Sequence, residues 1–232
     1  MVKRLIVVTS AVFVVTYLPL QVSASPSLAY PFIWFALRPH DVLFKLRIWQ
    51  LATYLFLHGG FFHIIFNMFA LWMFGSDLER MWGSKKFLYF YFFAGVGAGL
   101  TDVVLNAIIQ PGVQTATIGA SGAIYGLLLA YGMTFPDRPI YLYLIIPIKA
   151  KWFVMIMGGI ELISSFGTPG SGVDHIAHLG GMLFGFIYLR GLGLPYQLEL
   201  RYHEWRRARL RRKFEVYMRD RERKGDGGPW IN

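Results

Sequence analysis

Gly119-Ala120-Ser121-Gly122-Ala123-Ile124-Tyr125-Gly126 sets one hydroxyl among small residues, at the start of an apolar run that reaches about Phe135. Two readings compete. Nothing at 119, 120 or 122 projects far, so another backbone can approach closely, and the recurrence of Gly119, Gly122 and Gly126 suits two membrane helices packed tightly. The same bareness leaves Ser121 reachable. At a helix N-terminus its backbone N–H would point at any negative charge forming nearby. Ser121 is therefore a candidate nucleophile, and the stretch alone does not decide between packing and chemistry.

The chain around it reads as a polytopic membrane protein. Of its 232 residues 55% are hydrophobic and only 16% charged, where a soluble domain carries roughly a quarter charged residues. Several apolar runs approach spanning length. The absence of cysteine excludes disulfides, thiolate catalysis and cysteine-held metals. Much of the net charge of +10 lies after residue 200, which is a topology signal first and a partner signal second.

Candidate spans lie at about 5–23, 62–82, 86–108, 117–135, 148–166 and 175–193, so the expected fold is an all-α membrane protein with six transmembrane helices. Met1 to Ser27 also fits a cleaved secretory signal, with Lys3-Arg4, the stretch Leu5 to Leu18 and then Val22-Ser23-Ala24; an even number of spans favours a retained helix. Residues 24–61 are apolar but interrupted by Pro26, Pro31, Pro39 and charges, which suits an interfacial, partly inserted loop. Lys3-Arg4 place the start in the cytoplasm, and Arg80, Lys85, Lys86, Arg138, Lys149 and Lys151 then fall on the same side; only the first external loop departs, with Arg38, Lys45 and Arg47, and longer loops obey the rule weakly. The connections 109–116 and 167–174 contain no Lys or Arg. The expected arrangement is a multi-pass cell-membrane protein with both termini cytoplasmic, a transmembrane domain over 1–195 and a basic tail over 196–232. In that tail Trp205, Leu210, Phe214 and Tyr217 interleave with Arg206-Arg207, Arg209 and Arg211-Arg212-Lys213. It reads either as a solvated helix that fixes topology or as a contact for anionic lipid headgroups; a nucleic-acid partner is not expected.

Three of the spans running from outside to inside carry polar groups near their starts: His63 and Asn67, then Ser121, then His175 and His178. Ionisable residues at that depth are functional candidates, since their desolvation must be offset by a partner or by water. Singly, each has a plainer reading. His63 and Asn67 could be an interhelical hydrogen-bonding pair. His175 and His178 could be a metal half-site, but no carboxylate stands at a matching spacing and there is no H-E-x-x-H pattern, so neither metal nor cofactor is expected. Together they make one chemical set: a serine, an imidazole to take its proton, and neutral donors suited to an oxyanion hole.

The set resembles the rhomboid intramembrane serine proteases. Gly119-Ala120-Ser121-Gly122 is similar to their G-x-S-G, and His63-Ile64-Ile65-Phe66-Asn67 to their H-x-x-x-N. Ala177-His178-Leu179-Gly180-Gly181-Met182-Leu183-Phe184-Gly185 is similar to A-H-x-x-G-x-x-x-G, and Glu79 to Gly83 to an E-x-x-x-G after the second helix. The likeness covers about residues 45–190. It implies a six-helix rhomboid-like bundle, a water-filled cavity open to the outside, and a Ser–His dyad that cleaves transmembrane segments of other membrane proteins. By that resemblance Ser121 is the nucleophile and His178 the general base, while the Ser121 amide, His63 and Asn67 hold the oxyanion. Gly119, Tyr125 (packing on the base), His58, Gly181 and Gly185 support them. His178 is preferred to His175 because only it places Gly181 and Gly185 against Gly122 and Gly126. Asp102 is expected to be a satisfied structural carboxylate rather than a third member of the dyad, and Asp174 a helix cap. One departure is visible: Trp49 is followed by Gln50, where the family often has Trp-Arg. A catalytically silent helix-binding relative and a small-solute transporter are the rival readings. The first usually lacks the serine or the histidine; the second would show duplicated halves, which are not seen.

Overall fold

Away from water a backbone must satisfy its own polar groups, and the apolar runs accordingly fold as helices. The computed structural model describes residues 1–22, 30–109, 116–142, 145–166 and 175–192, with 209, 211–212 and 214–219. Helix α1 (Val2–Thr16) ends at Tyr17, and α2 (Leu18–Val22) continues with Pro19 in its first turn, where a missing N–H is harmless. Helices α3 (Tyr30–Phe35), α4 (Pro39–Phe44) and α5 (Gln50–Thr53) and a 3-10 turn (Tyr54–Phe56) precede α6 (Phe61–Trp82) and α7 (Ser84–Ile109). Among the described residues three segments are long and apolar enough to cross a membrane: Val2–Gln21, Phe61–Trp82 and Ser84–Ile108, with mean hydropathies of 1.6, 1.3 and 1.6. On α6 the exposed Phe62, Phe66, Phe69 and Trp72 recur at helical spacing, while Ile64, Asn67, Met68, Leu71 and Leu78 face inward. An exposed aromatic stripe of that kind suits lipid, not water.

Two expected spans begin later than the hydropathy suggested. The helix expected over 117–135 is α8 (Ser121–Thr134), only 14 residues. Thr117 instead bridges Leu37 in antiparallel fashion, their amides and carbonyls exchanging bonds of 2.8 and 2.9 Å. Gly119 donates its N–H to the Tyr54 carbonyl at 2.9 Å, with φ at +118°, a conformation that side-chain-bearing residues rarely adopt. The expected span 148–166 opens as a strand. β1 (Pro139–Leu142) and β2 (Ile146–Lys149) pair antiparallel, Pro139 opposite Lys149 and Leu142 opposite Ile146, before α9 (Ala150–Ser165) begins. Pro147 and the β-branched Ile146 and Ile148 disfavour helix there. The last described helix of this region is α10 (His175–Ile187), followed by a π turn over Tyr188–Leu192.

Helix α8 is enclosed by α6, α7, α9 and α10, and nine of its residues from Gly122 to Gly132 are buried. The E-x-x-x-G stretch is a corner. Glu79 accepts the Val2 N–H at 2.9 Å and the Ser84 hydroxyl, and Gly83 turns the chain at φ +81°.

Gln50 explains the departure noted beside Trp49. It is fully buried; its Oε1 accepts the Arg38 N–H at 3.1 Å and its Nε2 donates to the Trp34 carbonyl at 3.2 Å. Nearby, Asp41 receives Lys45 and Arg47, each at 2.8 Å. Burial alone would raise the Asp41 carboxyl, but Lys45, Arg38 and Arg47 outweigh it and hold it below its ordinary value.

The chain divides into two compact units, Met1–Tyr188 and Leu189–Asn232. In the second, the described residues 209, 211–212 and 214–219 are helical and exposed. The boundary expected at 195, Trp205, Arg206, Arg207, Leu210 and Lys213, the greater part of both charge-free connections, and Asp174 lie outside the described residues.

Candidate active site

Helices α8 and α10 touch backbone to backbone. A methyl at Gly181 would overlap the Gly122 carbonyl, one at Gly126 would lie 2.9 Å from the Gly181 carbonyl, and one at Gly185 3.1 Å from the Gly126 Cα. The two readings of the 119–126 stretch are thus not rivals. Close packing of small residues brings the two helices near enough for their polar side chains to meet.

They meet at Ser121 and His178. The Ser121 Oγ lies 2.8 Å from the His178 Nε2. Ser121 is the first residue of α8, where the backbone N–H has no partner within the helix. His178 is 7% exposed, and the Tyr125 ring stacks on its imidazole at 4.3 Å and 14°. With its lone pair at Nε2, a neutral His178 can take the Ser121 proton.

His63 forms the opposite wall. The space a Gly119 side chain would occupy lies 2.7 Å from the His63 Nε2 and 3.8 Å from the Ser121 Oγ, so the glycine is needed for clearance as well as for its turn. Asn67 is buried and its Nδ2 donates to the His63 carbonyl at 2.8 Å, leaving one amide hydrogen for another acceptor. His58 packs its ring against that of His63 at 4.9 Å. Its Nδ1 lies 3.4 Å from the Phe56 carbonyl, and its buried Nε2 has no partner among the described residues. Burial, with the His63 ring alongside, pulls the His58 imidazole down to about 4. Asp102 accepts from Thr117 at 3.0 Å and from Asn106, which ties down the segment leading into Ser121.

His175 points elsewhere, and its partner is a residue that sequence reasoning missed. Its Nδ1 lies 2.6 Å from the Glu161 Oε2. Glu161 comes from α9, is 5% exposed, and also accepts the Tyr125 hydroxyl. The same Oε2 stands 3.1 Å from the His178 Nδ1, within reach but not aligned well enough for a regular hydrogen bond. The signal was present: a carboxylate inside the apolar run 148–166 is costly unless something requires it. It went unseen because the histidines it meets lie 14 or more residues further along, on a different helix.

Glu161, His175 and His178 could in composition hold a divalent cation. Two ligand atoms on a tetrahedral zinc with bonds of 2.0–2.1 Å stand about 3.3 Å apart. The 2.6 Å between His175 and Glu161 is a hydrogen-bond length, so the cluster as arranged fits a shared proton better than a shared metal.

A helical membrane bundle with a half-buried serine set against a buried imidazole, beside a glycine seam, is the class this geometry defines. Residues 45–194 match the rhomboid domain, and the chain belongs to the rhomboid family, a family of multi-pass membrane proteins. It is 31% identical over 187 residues to rhomboid protease GluP of Bacillus subtilis, covering 80% of this chain and 34% of that protein. To the mitochondrial rhomboid protein 1 of Saccharomyces cerevisiae it is 28% identical over 133 residues, 57% of this chain and 38% of the relative. To the putative rhomboid protease YdcA of Bacillus subtilis it is 32% identical over 139 residues, 60% and 64% of the two chains. The chain therefore spans between about a third and two thirds of these relatives.

Proposed function

We propose that the protein is an intramembrane serine endopeptidase that cleaves transmembrane segments of other membrane proteins. The observation that carries this reading is the 2.8 Å approach of the Ser121 Oγ to the His178 Nε2, in a chain whose family includes named proteases. Ser121 attacks the scissile carbonyl carbon while its proton passes to the His178 Nε2. The oxyanion is held by the Ser121 N–H with His63 and Asn67, one such donor contributing about 2.7–4 kcal/mol to the transition state. His178 then gives the proton to the leaving amine, and water hydrolyses the acyl-enzyme with His178 again as base. A substrate helix must unwind locally, because a regular helix hides its carbonyls in hydrogen bonds.

In this reading six helices cross the cell membrane, both termini are cytoplasmic, and Ser121 lies towards the outer face. The basic tail lies against anionic headgroups, each basic residue near the surface contributing about 1 kcal/mol.

The test is a serine-directed fluorophosphonate probe, together with cleavage of a panel of single-span proteins in liposomes. Labelling and cleavage should both vanish in Ser121→Ala. A folded wild type that neither labels nor cleaves would instead support a helix-binding relative without protease activity.

A further inference from the structure

Glu161 is buried on a helix whose other faces are largely exposed, and among the described residues its hydrogen-bond and ion-pair partners lie on the two helices that carry Ser121 and His178. A buried carboxylate needs partners, and Tyr125 on Oε1 with His175 on Oε2 already supply them. The third contact, 3.1 Å from Oε2 to the His178 Nδ1, is not needed to satisfy Glu161. It is what His178 needs. The His178 Nδ1 is shielded from solvent, and apart from this carboxylate no described residue pairs with it.

We propose that Glu161 is the positioning residue for His178, its carboxylate fixing the imidazole with the proton on Nδ1 and the lone pair on Nε2 facing Ser121. This rests on the peptidase reading above. A neutral imidazole carries its proton on one nitrogen only, and which one is set by the partner of the other. With Nδ1–H directed at Glu161, Nε2 can accept the Ser121 proton; with the proton on Nε2 it could not. When the Ser121 proton arrives, the imidazolium formed lies beside a fixed negative charge, and the carboxylate itself takes no proton. The imperfect alignment in the resting site accords with this, since such contacts commonly tighten only as charge develops. His175 and Tyr125 keep the carboxylate from rotating away. Three helices thus supply a Ser121–His178–Glu161 relay of contacts in place of a bare pair.

The experiment compares wild type, Glu161→Gln and Ser121→Ala in liposomes on one single-span substrate, with thermal midpoints measured on the same preparations. Glu161→Gln preserves the shape and can still bond His175 and Tyr125. Its kcat should fall about 100-fold or more while KM and the thermal midpoint stay near wild type, by comparison with loss of the carboxylate in soluble serine proteases. A kcat within about threefold of wild type overturns the proposal, as does a kcat loss that tracks a fall in the midpoint, the mark of a merely structural group. A second readout needs no turnover. With histidine labelled in 15N, a far-downfield Nδ1–H proton resonance assigned to His178 should appear in wild type and in Ser121→Ala and be absent from Glu161→Gln. Its persistence in Glu161→Gln counts against the proposal. Undiminished cleavage by Ser121→Ala would instead sink the peptidase reading, so the two failures are distinguishable.

Discussion

The seam between α8 and α10 and the attachment of α9 hold neighbouring parts of one site by opposite means. At the seam Gly122 and Gly126 meet Gly181 and Gly185, and the contact is backbone on backbone. Between helices in lipid there is little hydrophobic drive, and close van der Waals packing does the joining. Helix α9 has only Ala150, Val154 and Glu161 buried, while Met155, Ile156, Ile160, Leu162 and Ile163 are exposed. Val154 packs against Gly132 near one end and Gly158 lies against Met182, and towards the other end the one buried side chain is a carboxylate. The first joint is indifferent to charge and intolerant of a methyl; the second tolerates changes of volume and depends on charge. The rigid joint sets the Ser121–His178 distance, and the polar one bears on how His178 is oriented.

The largest expected effect comes from breaking the seam. Gly181→Ala puts a methyl into the Gly122 carbonyl, a backbone atom that cannot swing aside. Unfolding measurements should show a loss of more than about 3 kcal/mol, at the upper end of overpacking costs, with cleavage abolished. Tolerance of Gly181→Ala would mean that the seam is not the rigid joint described.

A middle effect isolates stability that neither joint carries. The folded protein holds His58 neutral down to about 4, whereas the unfolded chain takes up the proton near 6.5. Between those values the unfolded state binds more protons, so this contribution is present above about pH 6.5 and is lost as the pH falls towards 4. Unfolding free energies should drop by about 2 kcal/mol between pH 7 and pH 5, and His58→Gln should flatten that slope. An unchanged slope in the variant would remove His58 as its source.

The smallest effect has the opposite sign. Gly159 on α9 has open space where a side chain would stand, so Gly159→Ala should stabilise by about 0.4–1 kcal/mol through reduced freedom of the unfolded chain. A loss of stability there would show that α9 is packed more closely than its exposure indicates.

Hydropathy and small-residue spacing made much of this legible. Helices α6 and α7 begin and end within about two residues of the expected spans, because for long apolar runs the backbone has few alternatives. The start of α8 was misplaced by four residues. Thr117 and Ile118 blend into the apolar run of α8, and only pairing with Leu37, remote in sequence, draws Thr117 into extended structure. The β1–β2 hairpin was hidden in the same way by Ile146 and Ile148, which suit strand and span equally. Ser121, His178 and His63 could be picked out because each stands where a polar residue is expensive. Glu161 stood in an equally expensive place, yet its meaning depends on packing between α9 and α10 that no spacing encodes.

The shortness of α8 has a consequence of its own. Fourteen residues at 1.5 Å each reach about 21 Å, roughly 9 Å less than a typical hydrocarbon core. The level of Ser121 is therefore fixed by where the coil of α8 stops, pinned through Gly119 and Thr117 to Tyr54 and Leu37, and not by the thickness of the surrounding lipid. In the peptidase reading proposed above, a thicker or thinner bilayer changes how far the hydroxyl lies from the membrane surface, while the hydroxyl and its imidazole travel together.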